Sequence, residues 1–135
     1  MTGTILIAED DRCLRRACDV ALRGRGYTTV LAEDGLQALA LAASAKPDLV
    51  LLDLLMPRMS GIEVLRALRA DEATRALPVL IFSNSSATPE VRHATELGVL
   101  GYWVKANFSL AGLADGVDRV MTGVRHGAHT ARVDR

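Results

Sequence analysis

The chain has 135 residues, half of them apolar and 24% charged, a make-up that fits one soluble globular domain with a core of its own. Its 16 acidic and 16 basic residues cancel, so net charge gives no reason to expect direct contact with nucleic acid, a membrane surface or an acidic partner. No apolar run nears the ~20 residues of a membrane-spanning helix, and the start lacks the basic-then-apolar layout of a secretion signal, so a cytoplasmic setting is expected.

Short apolar or β-branched runs alternate with amphipathic segments. The first predicted strand, Thr4–Ala8, runs straight into Glu9, Asp10 and Asp11. In the helix that follows, Leu14, Ala17, Cys18, Ala21 and Leu22 share one face, and Arg12, Arg15, Arg16, Asp19 and Arg23 point away from it. Asp11 is the candidate N-cap and Gly24 the stop. Cys13 and Cys18 lie five apart on this helix, which does not suit a disulfide; Cys18 reads as a small core residue in a reducing compartment. Gly24-Arg25-Gly26 precedes a strand and reads as a turn, not as a dinucleotide fingerprint. The second strand, Tyr27–Ala32, leads to a helix of small and apolar residues, Leu36–Ala43.

The third strand, Leu49–Leu52, ends in Asp53. The third helix, Gly61–Ala70, turns Ile62, Leu65 and Leu68 inward and Glu63, Arg66 and Arg69 outward. The fourth strand is Val79–Ser83. Thr88-Pro89-Glu90 opens the fourth helix as N-cap, first-position proline and first-turn acid, and Gly98 stops it. The fifth strand is Gly101–Lys105, and the fifth helix carries Leu110, Leu113, Ala114, Val117, Val120 and Met121 on one face. Residues 122–135 show little apolar period and are expected to form a disordered tail. His126 and His129 in that tail, and His93 on the fourth helix, are not read as metal ligands.

Strict alternation of strand and helix predicts an α/β domain over residues 1–121, with a parallel sheet and helices on both faces. Five such units give the flavodoxin-like, doubly wound order 2-1-3-4-5 with right-handed crossovers and five helices. The first and third strands then flank the point where the winding reverses, and ligands bind at the C-terminal edge there. That edge gathers Glu9, Asp10, Asp53, Ser83 and Lys105. Clustered carboxylates repel unless a cation holds them, and all-oxygen ligation points to Mg²⁺ or Mn²⁺, not to zinc. An aspartate beside such a metal is a nucleophile toward phosphorus. The metal and Lys105 would offset charge on the phosphoryl oxygens, and Ser83 would donate a hydrogen bond to one of them. Asp11 is read as a helix cap and not as a ligand.

Four stretches carry a resemblance: Ile5-Leu6-Ile7-Ala8-Glu9-Asp10-Asp11; Asp48 through Asp53-Leu54-Leu55-Met56-Pro57 with Gly61; Pro78 through Ser83; and Gly98 through Gly101-Tyr102-Trp103-Val104-Lys105. In order, spacing and strand placement the chain resembles the receiver domain of two-component response regulators, chemotaxis-regulator-like, over residues 4–121. The resemblance implies transfer of a phosphoryl group from a phosphohistidine to an aspartate with Mg²⁺ or Mn²⁺, followed by slow hydrolysis. By position it makes Asp53 the phosphoacceptor and Glu9 and Asp10 the acidic pair at the metal. The backbone carbonyl of Leu55 becomes a further ligand, Ser83 the hydroxyl residue, Lys105 the phosphoryl-binding lysine and Tyr102 the aromatic switch. It implies partners too: a histidine kinase or histidine phosphotransfer domain, and a downstream protein that the phosphorylated form binds. The fourth helix, fifth strand and fifth helix form the expected partner face, in a monomer or weak dimer.

Three positions depart from the family's pattern. Ala106 stands where a proline, often cis, is usual, so a trans bond and a changed loop into the fifth helix are expected. Asn84 stands where a small residue is usual and is expected to crowd the phosphoryl site. Leu55 is apolar where a polar residue is frequent; with Ser85 it flanks the path of the hydrolytic water, so a long-lived phosphoryl group is expected. A phosphatase with an aspartate nucleophile would need an acid two residues after Asp53, where this chain has Leu55. An inactive receiver-like interaction domain would lack Asp53, Lys105 or the acidic pair, and all are present. A receiver that forms one part of a larger regulator with an output domain is a further alternative.

Overall fold

Each strand stops where the sequence turns from apolar to charged or polar, and those five stops set the polar edge of the sheet. The computed structural model describes residues 2–84 and 88–125. Its elements are β1 (Thr4–Ala8), α1 (Arg12–Arg23), β2 (Thr28–Ala32), α2 (Gly35–Ala45), β3 (Leu49–Leu52), α3 (Gly61–Ala70), β4 (Val79–Ser83), α4 (Thr88–Glu96), β5 (Gly101–Val104), a short 3-10 helix (Lys105–Asn107) and α5 (Leu110–Arg125). The strands are parallel, in the order β2-β1-β3-β4-β5. This is the doubly wound arrangement expected from the alternation of elements.

Side chains along a strand alternate between the two faces, so each strand feeds two cores. On one face Leu6, Ala8, Val50, Leu52, Val79 and Ile81 pack with Ala38 and Ala42 of α2, Val64, Leu65 and Leu68 of α3, and Ala94 of α4. On the other Ile5, Ile7, Leu49, Leu51, Leu80 and Phe82 pack with Cys18 and Leu22 of α1 and with Leu113, Ala114, Val117 and Met121 of α5. Cys18 is a core residue, as its place on the helix predicts. Leu52 is fully buried; truncating such a leucine to alanine costs ~2–5 kcal/mol. Among the described residues no helix is long and apolar enough to cross a membrane.

Local signals set the helix ends. The Asp11 side chain accepts the Leu14 N–H at 3.0 Å and starts α1. Ser60 and Glu63 form a reciprocal capping box at α3. α2 is longer than the apolar pattern suggests, because Asp34 caps it at Gln37 and the chain turns left-handed only at Lys46 (φ 48°). β2 starts one residue later than expected, and β5 ends at Val104, with Lys105 opening the 3-10 helix. α5 continues to Arg125, past the boundary expected at residue 121; the rest of the expected tail, with His126 and His129, lies outside the described residues. Arg69, expected to face outward, turns back to donate to the carbonyls of Leu97 (2.7 Å), Leu77 (2.8 Å), Arg75 (3.1 Å) and Gly98 (3.2 Å). It thereby ties the C-terminal end of α4 to α3.

Candidate functional site

The backbone places Glu9 and Asp53 side by side before any side-chain contact is considered. The Glu9 N–H donates to the Ala32 carbonyl and the Asp53 N–H to the Ala8 carbonyl, each at 3.0 Å, so both residues continue the ladders of β1 and β3 one step past the sheet. Gly61 lets α3 close on this point: a Cβ there would strike the Asp53 carbonyl, and the Gly61 N–H donates to the Leu54 carbonyl at 2.9 Å. β3 therefore ends under the first turn of α3.

Glu9 and Asp53 are buried, at 4% and 5% exposure, while Asp10 is exposed. The Lys105 ammonium lies 2.6 Å from Glu9 Oε1 and 3.0 Å from Asp53 Oδ2. The second oxygens are held by backbone: Glu9 Oε2 accepts the Asp11 N–H at 3.0 Å, and Asp53 Oδ1 the Leu55 N–H at 3.3 Å. Burial pushes the Glu9 carboxyl above the usual carboxylate range, against the pull of the hydrogen bonds from Lys105 and from the Asp11 N–H, and the Asp53 charge adds to the rise. Burial acts to lower the Lys105 ammonium, but its hydrogen bonds to Glu9 and Asp53 and their charges outweigh it, and its pKa is raised.

One carboxylate oxygen from each of Glu9, Asp10 and Asp53 lies within 4.8 Å of the others. Three hard oxygen donors, one of them open to water, fit a divalent cation that keeps part of its hydration shell. The Lys105 ammonium bridges two of the three carboxylates in this structure and offsets one of their charges.

Ser83 is fully buried at the end of β4, opposite Val104 of β5. Tyr102 packs partly buried against the core on the α4 side. Leu55 is 62% exposed beside Asp53. Asn84, expected to crowd the opening, reaches across to the 3-10 helix after β5, where its Oδ1 accepts the Ala106 N–H at 3.2 Å. The Lys105–Ala106 bond is trans, as the missing proline predicts. Ser85 lies outside the described residues.

Arg15 was not legible as part of this site. Read as one of the solvated arginines of α1, it is instead half-buried and donates from Nη1 to the carbonyls of Glu9 (2.8 Å) and Asp10 (3.3 Å). Arg12 and Arg16 are exposed. The available signal was position: helical side chains lean toward the N-terminus, so a long side chain in the first turn reaches back over the preceding loop.

A doubly wound sheet whose switch point holds two buried carboxylates, a third acid and a bridging lysine defines a class of phosphoryl-linked signalling modules. Residues 5–115 match the response regulator receiver domain, and the chain belongs to that family. It is 39% identical over 105 residues to the DNA-binding response regulator MtrA of Mycobacterium tuberculosis, covering 78% of this chain but 45% of that protein, so the chain spans less than half the length of such relatives. It is 37% identical over 121 residues to the chemotaxis protein CheY of Pseudomonas aeruginosa, covering 89% of this chain and 97% of that protein. Among solved structures, CheY4 of Vibrio cholerae superposes with a TM-score of 0.80 at 28% identity, over 89% of this chain and 99% of that one. The Mn²⁺-bound form of response regulator Rcp1 does so with a TM-score of 0.74 at 26% identity, over 86% and 91%. The chain is thus a receiver domain of two-component signalling. Receiver domains are generally signalling modules and not enzymes; they bind a divalent metal and interact with histidine kinases or phosphotransfer proteins and with downstream targets.

Proposed function

We propose that this receiver accepts a phosphoryl group on Asp53 from a histidine kinase or histidine phosphotransfer domain, and that the modified form binds a downstream protein more tightly. The observation that carries this reading is the Lys105 ammonium bridging Glu9 and Asp53, with Asp10 beside them. A carboxylate oxygen of Asp53 attacks phosphorus, the P–N bond of the phosphohistidine breaks, and the imidazole nitrogen keeps the electron pair. Asp53 Oδ1 is held by the Leu55 N–H, and Lys105 is within reach of oxygens carried on Asp53. Ser83 supplies a hydroxyl from the neighbouring strand end. Mg²⁺ or Mn²⁺, held by Glu9, Asp10, Asp53 and the Leu55 carbonyl, would supply charge for the phosphoryl oxygens. The chain would then catalyse only its own phosphorylation and dephosphorylation.

The partner face follows from β5. Tyr102 faces the α4 side and Trp103 the α5 side, so a change at Lys105 reaches both helices. We place the downstream contact, and any weak dimer, on the α4–β5–α5 face. Phosphorylation must favour a state the partner binds more tightly.

The test is intact-mass measurement after incubation with acetyl phosphate. The wild type should gain one phosphoryl group with Mg²⁺ and none with a chelator, and Asp53→Asn should gain none. Retention of the group by Asp53→Asn rejects Asp53 as the acceptor.

A further inference from the structure

The two strands that present Ser83 and Lys105 stop pairing at the register Ser83–Val104. Asn84 and Lys105 are the first residues beyond it. From Lys105 the chain bends into the 3-10 helix, closed by the Phe108 N–H on the Lys105 carbonyl at 3.1 Å. The first N–H groups of such a turn have no acceptor inside it and need one from elsewhere. The residue that should cap it, Val104, has no side-chain oxygen and makes no capping bond. The acceptor arrives from the neighbouring strand, because Asn84 Oδ1 takes the Ala106 N–H. A proline at 106 would have no N–H to satisfy. Asn84 and Ala106, two separate departures in the sequence, therefore form one compensated pair.

We propose that Asn84 is a positioning residue: by capping the Lys105 turn from β4 it holds Lys105 at a fixed distance from Ser83, so that the two engage a phosphoryl group as one unit. The inference rests on the phosphoryl site proposed above. The bond joins the residue after Ser83 to the residue after Lys105, so neither neighbour can shift along its strand without moving the other or breaking the contact. None of the carboxylates at the metal takes part in it. Loss of Asn84 should weaken capture of a phosphoryl mimic while leaving capture of the metal intact.

The first measurement needs no metal. Hydrogen exchange at the Ala106 amide should quicken in Asn84→Ala and stay near wild type in Asn84→Asp, which retains an acceptor oxygen. The second is calorimetry of Mg²⁺ alone and then of beryllofluoride in the presence of Mg²⁺. In Asn84→Ala the Mg²⁺ affinity should match wild type and the beryllofluoride affinity should fall about fivefold, the scale of one exposed neutral hydrogen bond. A general loosening of the fold would lower both affinities and overturn the positioning role. So would wild-type beryllofluoride affinity in Asn84→Ala, or unchanged exchange at Ala106. Failure of the wild type to take up beryllofluoride at all would reject the phosphoryl site itself, and the role of Asn84 with it.

Discussion

Removing the Lys105 ammonium should weaken the metal-free protein and strengthen its hold on a divalent cation at the same time. At an effective dielectric constant of 20, contacts of 2.6 and 3.0 Å carry gross attractions of about 6.4 and 5.5 kcal/mol. Glu9 and Asp53 oxygens within 4.8 Å repel by at least about 3.5 kcal/mol on the same scale. Desolvation offsets several kcal/mol for each ion. The lysine side chain is 14% exposed and the carboxylates 5%, so solvent relieves little of the imbalance left when the cation goes. Lys105→Ala should therefore lower unfolding free energy by about 3 kcal/mol without metal. Its Mg²⁺ affinity should rise severalfold, since the ammonium that competes with a cation for the Glu9 and Asp53 carboxylates is gone. Urea unfolding of wild type and variant, each with chelator and with saturating Mg²⁺, gives both quantities. Added Mg²⁺ should close part of the gap, because it stabilises the variant more. Equal stability without metal, or an unchanged Mg²⁺ affinity, would show that Lys105 does not offset the charge of this pair.

Leu55, 62% exposed and apolar beside Asp53, offers no group to orient a hydrolytic water; Leu55→Asn should shorten the life of the phosphorylated protein, read from its decay after donor removal, and slower decay would contradict water exclusion. Gly116→Ala would drive a methyl group against the Trp103 ring; overpacking of ~1–3 kcal/mol should exceed the ~1 kcal/mol helix gain, with a shift in the emission of Trp103, the chain's single tryptophan. Burial pushes the Cys18 thiol from 9.0 up to about 11, so its thiolate fraction at pH 8 falls about 100-fold. An alkylating reagent should then add once to the native protein, at exposed Cys13, and twice in urea, as counted by mass.

The fold and the charged centre of the site were legible because both depend on abrupt changes along the chain. Apolar runs that stop at Glu9, Asp53, Ser83 and Lys105 announce strand ends, and strict alternation with helices brings those ends to one edge. Asp11 was legible as a cap because its role is local. Side chains that work by donating to backbone carbonyls were not. Arg15 and Arg69 sit at helical positions that read as solvent-facing, and their acceptors are carbonyls of Glu9, Asp10, Leu77, Leu97 and Gly98. A carbonyl carries no residue signature, so no pattern of types points to it. The Asn84–Ala106 bond escaped for a related reason: each residue was visible as a departure, but the register ends at Ser83–Val104, and only the fold past it brings the Asn84 side chain to the Ala106 N–H.

On the function proposed here, the same strand would let charge at the sheet edge become shape on the helical face. β5 is four residues long and its side chains alternate. Tyr102 belongs to the core under α4, and Trp103 belongs to the core under α5, where it stacks on Phe108 at 4.9 Å. Lys105 follows after Val104. At its C-terminal end α4 is tied to α3 by Arg69, and α5 is tied to the start of β2 by Arg25 and Tyr27, both bonded to Asp118 at 2.6 Å. α4 is thus held at its C-terminal end and α5 near its middle, each by bonds remote from the site, while β5 runs between the two. β5 packs on both helices and leads to the lysine that contacts Asp53, so on the proposed reading it would carry a change at the site to both. Phosphorylation at Asp53 would offer Lys105 new oxygens to bind, and any change in its pull acts first on the backbone that carries Tyr102 and Trp103.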